Sequence, residues 1–472
     1  MPKEPYLSLV ATSRNDNHGG NTLYRTQIFV DSFLEQCARH QLPAELILVE
    51  WNPPADRQPL AEIIRWDRQN EWVTCRVITV PPELHQRIHY GSVLPLFQMI
   101  AKNVGIRRAR GEFVLATNID IILSEELVAF IAGRNLDPSR TYRCDRFDVD
   151  SSIPDTVSLD EKLEFAWTHL VRKNRRLKPD ELVEMQQREE PVEKLAAFHQ
   201  ATGHFDVETT GGVTAVVAKD SVPAHWLHLD ACGDFTLLHR DGWAAIHGYP
   251  ELETFSLHID SLGVQCAHWA GFRETALLPS AVCFHIEHAL GSGYVRENAT
   301  PMYERLRAQG INWLDYEVVE PLFVEMAETK RAIDFNDESW GIRDWSMQET
   351  LCEAGGLTVV PAAPSAPLKQ VTAVRSQFRS ERFACDLYRR TIARKEEIIR
   401  MAVTAHDEAL KGMNAFREAN ESAQTQLKEL AAAHSKALET IEEFRAKIVA
   451  TRGRLQRYQR VFGWLERFGF FK

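Results

Sequence analysis

Two polar side chains that follow a short apolar run could bind a divalent cation. Asn118 and Asp120 stand two positions apart, directly after the run at 112–116. In an extended backbone this spacing points both side chains the same way, and carboxylate and amide oxygens are ligands of hard divalent cations. An ion held there would offset the negative charge of a leaving diphosphate. The alternative is an Asx turn that ends a strand without any ion.

The segments around this turn predict an alternating α/β fold. Short apolar runs indicate strands, and longer stretches with helical spacing of apolar residues indicate helices. Strands are predicted at 6–11, 45–50, 76–80 and 112–116, and helices at 23–40 and 94–108. This order is typical of a mostly parallel, Rossmann-like sheet covered by helices. Ligands of such sheets bind beyond the carboxyl ends of the strands, where the polar turns at 13–16 and 117–120 fall.

The composition suits a globular protein that does not bind nucleic acid. The chain has 472 residues, 44% of them hydrophobic and 26% charged, with a formal net charge of -11, whereas nucleic-acid binding needs concentrated positive charge. The eight cysteines include no Cys-x-x-Cys pair, which favours reduced thiols in a cytosol. The chain start lacks a signal-peptide pattern and no apolar stretch is long enough to span a membrane. We therefore expect a cytoplasmic protein.

The C-terminal part of the chain predicts a helical coiled coil. No proline follows Pro367, and a heptad repeat extends from Leu427 to Leu465. Its first positions are Leu427, Ile441, Ile448, Leu455 and Phe462, with His434 as the exception, and its fourth positions are Leu430, Ala437, Phe444, Tyr458 and Leu465, with Thr451 as the exception. We expect a homo-oligomer formed through this repeat. A helical hairpin packed on its own domain is the alternative.

The last twelve residues, 461–472, combine aromatic residues with cations. A segment of this kind could lie in a membrane interface, which would make the protein peripheral to the inner face of a membrane. It could equally form the hydrophobic end of the helical bundle.

The segment 102–123 resembles the core of a known superfamily. It contains Asn103-Val104-Gly105, then Ala109-Arg110-Gly111-Glu112-Phe113, and then Asp120. The segment is similar to the GT-A glycosyltransferase superfamily, in which a helix with an N-x-G…A-x-G pattern precedes the strand that carries a D-x-D metal motif. Residues 7–16 resemble the first strand and nucleotide-contacting turn of that superfamily, and Glu50 matches its acidic nucleoside contact. The departure is Asn118, where many members carry aspartate.

A second block is similar to the C-terminal half of galactosyltransferase-like members of this superfamily. The chain also resembles family 2-like bacterial members. The block contains Gly233-Asp234-Phe235, the segment 240–243 and the turn 248–251. Asp260 falls where the family places its acidic catalytic cluster. His285 and His288 fall where the family supplies a metal-binding histidine, after a last core strand predicted at 276–284. The matched segments cover about residues 5–290 in the family's order.

The resemblance implies a catalytic domain and a set of site residues, and the composition after it indicates a linker and a tail that lie outside the resemblance. A GT-A domain at 1–354 would comprise a nucleotide-sugar half at about 1–125, a helical insertion at about 155–205 and an acceptor half at about 206–345, followed by a Pro/Gly/Ala linker at 355–370 and a helical tail at 371–472. The implied nucleotide-sugar contacts are Ser13, Arg14, Asn15, Asp16, Glu50, Asn103, Arg110 and Asn118. The implied metal ligands are Asp120, His288 and His285, with His288 preferred over His285. The implied catalytic residues are Asp260, as general base, and Asp234.

These residues also have structural interpretations. Asp260 could cap the helix that follows it, and Asp234 could belong to a turn. The two histidines could share one helical turn without an ion. Arg14 could be an exposed loop residue, and Arg146 could either meet a diphosphate or join an ion-pair network.

The implied function is glycosyl transfer from a nucleotide-diphosphate sugar, with a UDP-sugar favoured, to a hydroxyl group of a glycan or glycolipid. We expect an inverting reaction assisted by Mn²⁺ or Mg²⁺, with retention as the alternative because inverting and retaining members share this fold. Analogy with the family places the reaction in bacterial polysaccharide biosynthesis. An alternative is a catalytically degenerate GT-A domain that serves as a coiled-coil scaffold in a polysaccharide-assembly complex. A nucleotidyltransferase is a third hypothesis, but its glycine-rich signature ending in Arg or Lys does not follow Val10.

Overall fold

The computed structural model describes residues 4–17, 19–173, 175–176, 192–288, 300–363 and 371–467. In this part of the chain the strands are β1 (Leu7–Ser13), β2 (Ala44–Trp51), β3 (Val73–Val80), β4 (Phe113–Thr117), β5 (Ile121–Leu123), β6 (Arg140–Cys144), β7 (Arg146–Val149), β8 (Leu170–Lys173), β9 (Arg175–Arg176), β10 (Phe205–Thr210), β11 (Val213–Ala218), β12 (Phe235–His239), β13 (Arg273–Leu277), β14 (Cys283–Ile286), β15 (Gln348–Glu353) and β16 (Gly356–Val360). The helices are α1 (Thr22–Arg39), α2 (Leu60–Ile63), α3 (Pro82–His85), α4 (Gln98–Arg107), α5 (Glu125–Ala132), α6 (Leu159–Thr168), α7 (Val192–Ala201), α8 (Arg240–Ala245), α9 (Ile259–Trp269), α10 (Thr300–Ala308), α11 (Tyr316–Thr329) and α12 (Val371–Arg467).

β1 lies inside a large mixed sheet. Among the described residues, eleven strands pair in the order β10-β11-β13-β6-β12-β4-β1-β2-β3-β15-β16. β1 pairs in parallel with β2 and β4, and β2 pairs in parallel with β3. Outside this centre, β6 and β13 are parallel and the other pairs are antiparallel. The predicted α/β class is confirmed, with a parallel centre and mainly antiparallel flanks.

Helices cover both faces of the parallel centre. Val10 of β1 belongs to the same hydrophobic cluster as Val104 of α4, whereas its neighbour Leu9 clusters with Phe33 of α1. Alternate residues of a strand point to opposite faces, so both faces are buried and the strands are apolar throughout. The contact with α4 is close, because a side-chain carbon at Gly105 would lie 2.5 Å from Cγ1 of Val10.

A second sheet begins directly after β4. Its strands pair in the order β5-β14-β7-β8-β9 among the described residues. The chain crosses from the first sheet to the second through the turn at 118–120. The single strand predicted at 276–284 is in fact two strands, β13 in the first sheet and β14 in the second, because the loop at 278–282 interrupts the apolar run.

The interval 355–370, predicted as a linker, begins with a strand. β15 pairs with β3, and β16 continues the sheet through 356–360, inside the interval 355–370 that sequence analysis assigned to a linker. The run Leu357-Thr358-Val359-Val360 is apolar and β-branched, which favours a strand. The interval predicted as a helical insertion at 155–205 contains α6 and α7, but also the short strands β8 and β9.

The chain divides into two compact units, Met1–Thr391 and Ile392–Lys472. The long helix α12 contains 97 residues, which confirms the predicted helical C-terminal part. Coiled-coil pairing stays a prediction. No helix in the described ranges is both long enough and apolar enough to cross a membrane.

Candidate active site

The turn at 118–120 brings residues distant in the chain to Asp120. It precedes β5, which pairs antiparallel with β14 so that His285 lies opposite Ile121. The backbone oxygen of Asp120 also accepts a hydrogen bond of 2.9 Å from the N–H of Ile286. The pairing of these two strands therefore places the segment 285–288 beside Asp120.

Asp120, His285 and His288 form a compact group of metal-binding atoms. Oδ2 of Asp120 lies 3.2 Å from Nε2 of His288 and 3.8 Å from Nε2 of His285. The other carboxylate oxygen, Oδ1, is buried without a hydrogen-bond partner, which a bound cation would provide. A carboxylate and two imidazoles suit a first-row divalent metal, so the residues fit the expected ion. Elsewhere in the described chain, no three histidine, cysteine or acidic side chains come as close together.

The electrostatics of this group favour binding of a cation. Burial alone would raise the pKa of Asp120, but His285, His288 and Arg25 together hold it well below its ordinary value. Burial alone would lower the pKa of His285, whereas the charge of Asp120 and the hydrogen bond with Asp148 raise it. These neighbours therefore favour the charged form of Asp120. Because a metal binds neutral imidazole, an ion must displace any proton on His285.

Arg25 brings a positive side chain to Asp120 from α1. Its Nη1 lies 2.5 Å from Oδ2 of Asp120, and both side chains are buried. Its Nη2 donates a hydrogen bond of 3.2 Å to the backbone oxygen of Gly20. Arg25 therefore ties the loop before α1 to the candidate metal group. Sequence analysis missed this residue, since the helical pattern at 23–40 does not indicate which of its arginines is buried.

A chain of charged side chains links the metal group to Asp234. Nδ1 of His285 lies 3.1 Å from Oδ1 of Asp148, and Nε2 of His285 faces Asp120. A carboxylate that contacts one ring nitrogen of a histidine in this way orients the other nitrogen toward a metal. Arg146 lies between Asp148 and Asp234, with its Nε 3.0 Å from Asp148 Oδ1 and its Nη1 2.7 Å from Asp234 Oδ2. Although burial lowers the pKa of Arg146, these two carboxylates outweigh burial and raise it. Arg146 thus joins an ion-pair network, and sequence analysis did not assign Asp148 a role.

Asn118 contacts Asp234 instead of Asp120. Its Nδ2 donates a hydrogen bond to Oδ1 of Asp234, and its Oδ1 accepts one of 2.8 Å from Nε2 of Gln98. Both ends of the amide are therefore engaged within the protein. Asp120 supplies the carboxylate of the candidate metal group, while the role of Asn118 as a nucleotide-sugar contact stays a prediction.

Asp260 lies in the first turn of α9, next to Gly233. A side-chain carbon at Gly233 would lie 2.8 Å from Oδ2 of Asp260, so glycine at 233 permits this close approach. The other oxygen, Oδ1, accepts a hydrogen bond of 3.0 Å from the N–H of Ser261. Asp260 thus interacts with the start of its own helix through one oxygen and faces the Gly233–Asp234 turn with the other.

The buried Lys102 of α4 connects the selected carboxylates. Its Nζ donates a hydrogen bond of 2.6 Å to the backbone oxygen of Gly233. Burial lowers the pKa of Lys102 to about 8, while the charges of Asp234, Asp260 and Asp120 act in the opposite direction. All three carboxylates are therefore within electrostatic reach of one buried ammonium group. Sequence analysis did not select Lys102.

The carboxyl ends of β1 and β2 bring several predicted nucleotide contacts together. Ser13 lies opposite Glu50 in the parallel register. The Ser13 hydroxyl is buried without a hydrogen-bond partner. Oε1 of Glu50 accepts a hydrogen bond of 2.9 Å from the N–H of Leu60, and burial raises the pKa of Glu50 to about 7. These two strand ends provide polar groups for a ligand at the predicted edge of the sheet.

The turn after β1 is held against the loop after β2. Nε of Arg14 donates a hydrogen bond of 2.7 Å to the backbone oxygen of Asn52, and its Nη1 lies 3.2 Å from Oδ2 of Asp16. Nδ2 of Asn15 donates a hydrogen bond of 2.8 Å to the backbone oxygen of Gln58. Arg14, Asn15 and Asp16 therefore lie at the same edge of the sheet as Glu50.

The structure does not bring Arg110 and Asn103 to this edge. Arg110 precedes β4, and its N–H donates to Glu45, which lies at the start of β2. Arg110 therefore lies at the amino ends of the parallel strands β2 and β4, whereas the predicted nucleotide contacts lie at the carboxyl ends. The side-chain amide of Asn103 is buried. Its Nδ2 donates hydrogen bonds to the backbone oxygen of Tyr249 at 2.8 Å and to Oε1 of Glu251 at 3.0 Å, and its Oδ1 accepts one of 2.8 Å from the N–H of Tyr249. Asn103 thus anchors the turn at 248–251.

Comparison with known proteins finds likeness in solved structures alone. No family model matches the sequence, and no curated protein matches it. A crystal structure of GalNAc-T7 with UDP, GalNAc and Mn²⁺ is similar, with 13% identity, a TM-score of 0.35 and coverage of 72% of this chain and 53% of that chain. The match thus spans about half of GalNAc-T7.

A crystal structure of S. aureus TarS 1-349 is also similar, with 13% identity, a TM-score of 0.33 and coverage of 76% of this chain and 98% of that chain. Both neighbours are GT-A-type glycosyltransferases. Because both TM-scores are low, we base the functional proposal on the residues of the site.

Proposed function

We propose that the chain is a glycosyltransferase that moves a sugar from a nucleotide-diphosphate donor to a hydroxyl group of a glycan or glycolipid. The observation that carries this proposal is the group Asp120, His285 and His288 at the carboxyl edge of an α/β sheet. Asp260 and Asp120 both interact electrostatically with the buried Lys102. A UDP-sugar is the favoured donor, with Arg14, Asp16 and Glu50 contacting the nucleotide.

Asp120, His285 and His288 would hold a divalent ion. Mn²⁺ suits this mixed set better than Mg²⁺, because Mg²⁺ prefers oxygen ligands alone. When bound, the ion supplies compensation for the charge of the leaving diphosphate. Arg25 adds a fixed positive charge beside the same carboxylate, and Asp148 orients His285 through its Nδ1.

Asp260 is the proposed general base. Both oxygens of Asp234 are engaged, one by Asn118 and the other by Arg146, so Asp234 is better placed to hold the turn than to accept a proton. Oδ2 of Asp260 faces Gly233 instead. Asp260 would take the proton of an acceptor hydroxyl as that oxygen attacks the anomeric carbon from the side opposite the diphosphate. This geometry gives inversion of the anomeric centre.

Transfer assays with a panel of nucleotide sugars and Mn²⁺ test the proposal. We expect turnover by the unmodified chain and none by Asp120→Ala, which should also lose Mn²⁺ binding. Asp260→Asn should keep Mn²⁺ and UDP binding, measured by calorimetry, and lose transfer by about 10²–10⁴-fold. Full activity of Asp260→Asn would exclude it as the base. UDP binding without turnover of any donor would favour the scaffold alternative over an enzyme.

A further inference from the structure

Residues 399–454 of α12 carry an exposed apolar stripe. The exposed large apolar residues in this range are Ile399, Met401, Val403, Leu410, Met413, Phe416, Leu427, Leu430, Leu438, Ile441, Phe444, Ile448 and Val449. Counted from Leu427, eight of these thirteen occupy the first or fourth heptad position. An even spread would place about four there. The apolar side chains are therefore concentrated on one face of the helix.

The repeat begins well before Leu427. Ile399 and Met413 fall on the first position and Phe416 on the fourth position of the same register. The uninterrupted register thus covers eight heptads of the described helix. Phe416 is 75% exposed and Leu430 is 68% exposed, so large side chains along this face are open to solvent in the single chain.

We propose that this face binds the same face of a second copy of the chain, as a parallel two-stranded coiled coil in register. At 1.5 Å per residue, residues 399–454 extend for about 84 Å. The next longest described helix, α1, has 18 residues and extends for about 27 Å. Covering the whole stripe requires a helix of equal length, which a second α12 provides.

Three polar residues in the stripe set the alignment of the two copies. His406, Asn420 and His434 occupy first positions. Parallel alignment in register places each of them beside its own counterpart, where the two side chains can hydrogen-bond. Antiparallel alignment sets first positions against fourth positions, which would bury these groups against apolar residues at a cost in free energy. An asparagine at a first position also favours two strands.

Ion pairs at the flanking positions do not provide an alternative means of alignment. Between Val403 and Thr440, the fifth and seventh heptad positions contain one charged residue, Arg417. The polar core residues are therefore the main source of specificity in this part of the repeat. This inference does not depend on the proposed transferase activity.

Sedimentation or light scattering of the full chain tests the association. We expect a mass of about twice the 53.9 kDa of one chain. Ile448→Glu should shift the chain to the single mass or weaken dimerisation at least tenfold. Val449→Glu is the matched control, because Val449 is adjacent and 70% exposed but occupies a second heptad position, off the face formed by the first and fourth positions, and it should leave the dimer intact. A single mass for the unmodified chain, or equal effects of both variants, would overturn the proposal.

Disulfide crosslinking tests the direction of the two helices. In a Cys385→Ser background, Ala409→Cys and Ala437→Cys introduce thiols at fourth positions, and the seven described cysteines are buried. Each variant should crosslink to itself under mild oxidation, whereas Ala446→Cys, at a sixth position, should not. An antiparallel pair would permit self-crosslinking at no more than one of the two fourth positions, and that outcome would overturn the parallel alignment.

Discussion

The guanidinium of Arg25 and the carboxylate of Asp120 form a buried ion pair in which Nη1 and Oδ2 are 2.5 Å apart. The same Oδ2 atom faces His285 and His288. A divalent ion that binds this oxygen therefore has a positive charge as its immediate neighbour. Arg25 and the ion compete electrostatically for one carboxylate, although both can favour a departing diphosphate.

Arg25→Gln should bind Mn²⁺ more tightly than the unmodified chain. Without the guanidinium, residue 25 carries no positive charge that pairs with Asp120 or repels the ion from that position. We therefore expect about a tenfold gain in Mn²⁺ affinity, equivalent to about 1.4 kcal/mol. Titration of free Mn²⁺ by electron paramagnetic resonance measures this directly. Arg25→Lys keeps the positive charge and should stay close to the original affinity. Weaker binding by Arg25→Gln would show that Arg25 supports the ion instead of competing with it.

Asp148→Asn should weaken Mn²⁺ binding. Asp148 orients His285 by contacting its Nδ1 at 3.1 Å, and loss of such a partner typically costs 10–100-fold in metal affinity. Asp150→Asn is a control two residues further along, since Asp150 bonds Ser152. The same titration should show near-original affinity for Asp150→Asn. Unchanged affinity in both variants would remove Asp148 from the metal site.

The free energy of unfolding should fall as pH rises through the pKa of Glu50. Burial raises its pKa from 4.5 to about 7, so the native state binds this proton more tightly than the unfolded state. The resulting stabilisation is complete below pH 4.5 and is lost as pH rises through 7, a change of about 3 kcal/mol. Urea unfolding from pH 5 to 8 should show this loss in the unmodified chain and a smaller loss in Glu50→Gln. Parallel profiles for the two proteins would contradict the assignment.

Asn103→Ala should reduce stability without directly weakening UDP binding. The Asn103 amide holds the Tyr249 backbone through two hydrogen bonds of 2.8 Å, and leaving those buried groups unpaired should cost about 2–4 kcal/mol. Urea unfolding and calorimetric titration with UDP separate the two effects. Asp16→Ala, at the edge beyond β1, should show the opposite result. Loss of UDP affinity with unchanged stability in Asn103→Ala would restore it as a nucleotide contact.

The residues found from sequence share a local signal. Asp120 directly follows a short apolar run, Asp260 starts a helical stretch, and His285 follows the strand predicted at 276–284, so all three lie at the ends of predicted elements. Ends of elements can be inferred from periodicity and turn residues. Periodicity therefore predicted the α/β class and the turn that carries Asp120, whereas Asp260 and His285 were selected because they match positions of the GT-A family.

The residues that sequence analysis missed or misplaced depend on tertiary packing. Arg25 and Lys102 lie within helices, and no local pattern indicates that their charged groups are buried beside carboxylates. Arg110 was selected by motif spacing, although it precedes β4 and lies at the other end of the sheet. The split of 276–284 into β13 and β14 likewise depends on strand pairing, because β13 pairs with β6 and β11, whereas β14 pairs with β5 and β7. Such contacts are set by the whole fold.

The pairing of β5 with β14 joins a turn near residue 120 to a segment near residue 285. A ribosome-bound chain that lacks β14 has Asp120 but neither histidine of the proposed triad. Premature termination before residue 285 would therefore yield fragments unable to assemble the three-ligand centre. Nascent or truncated molecules of this kind would therefore lack the proposed metal centre, because it forms only when β14 pairs with β5.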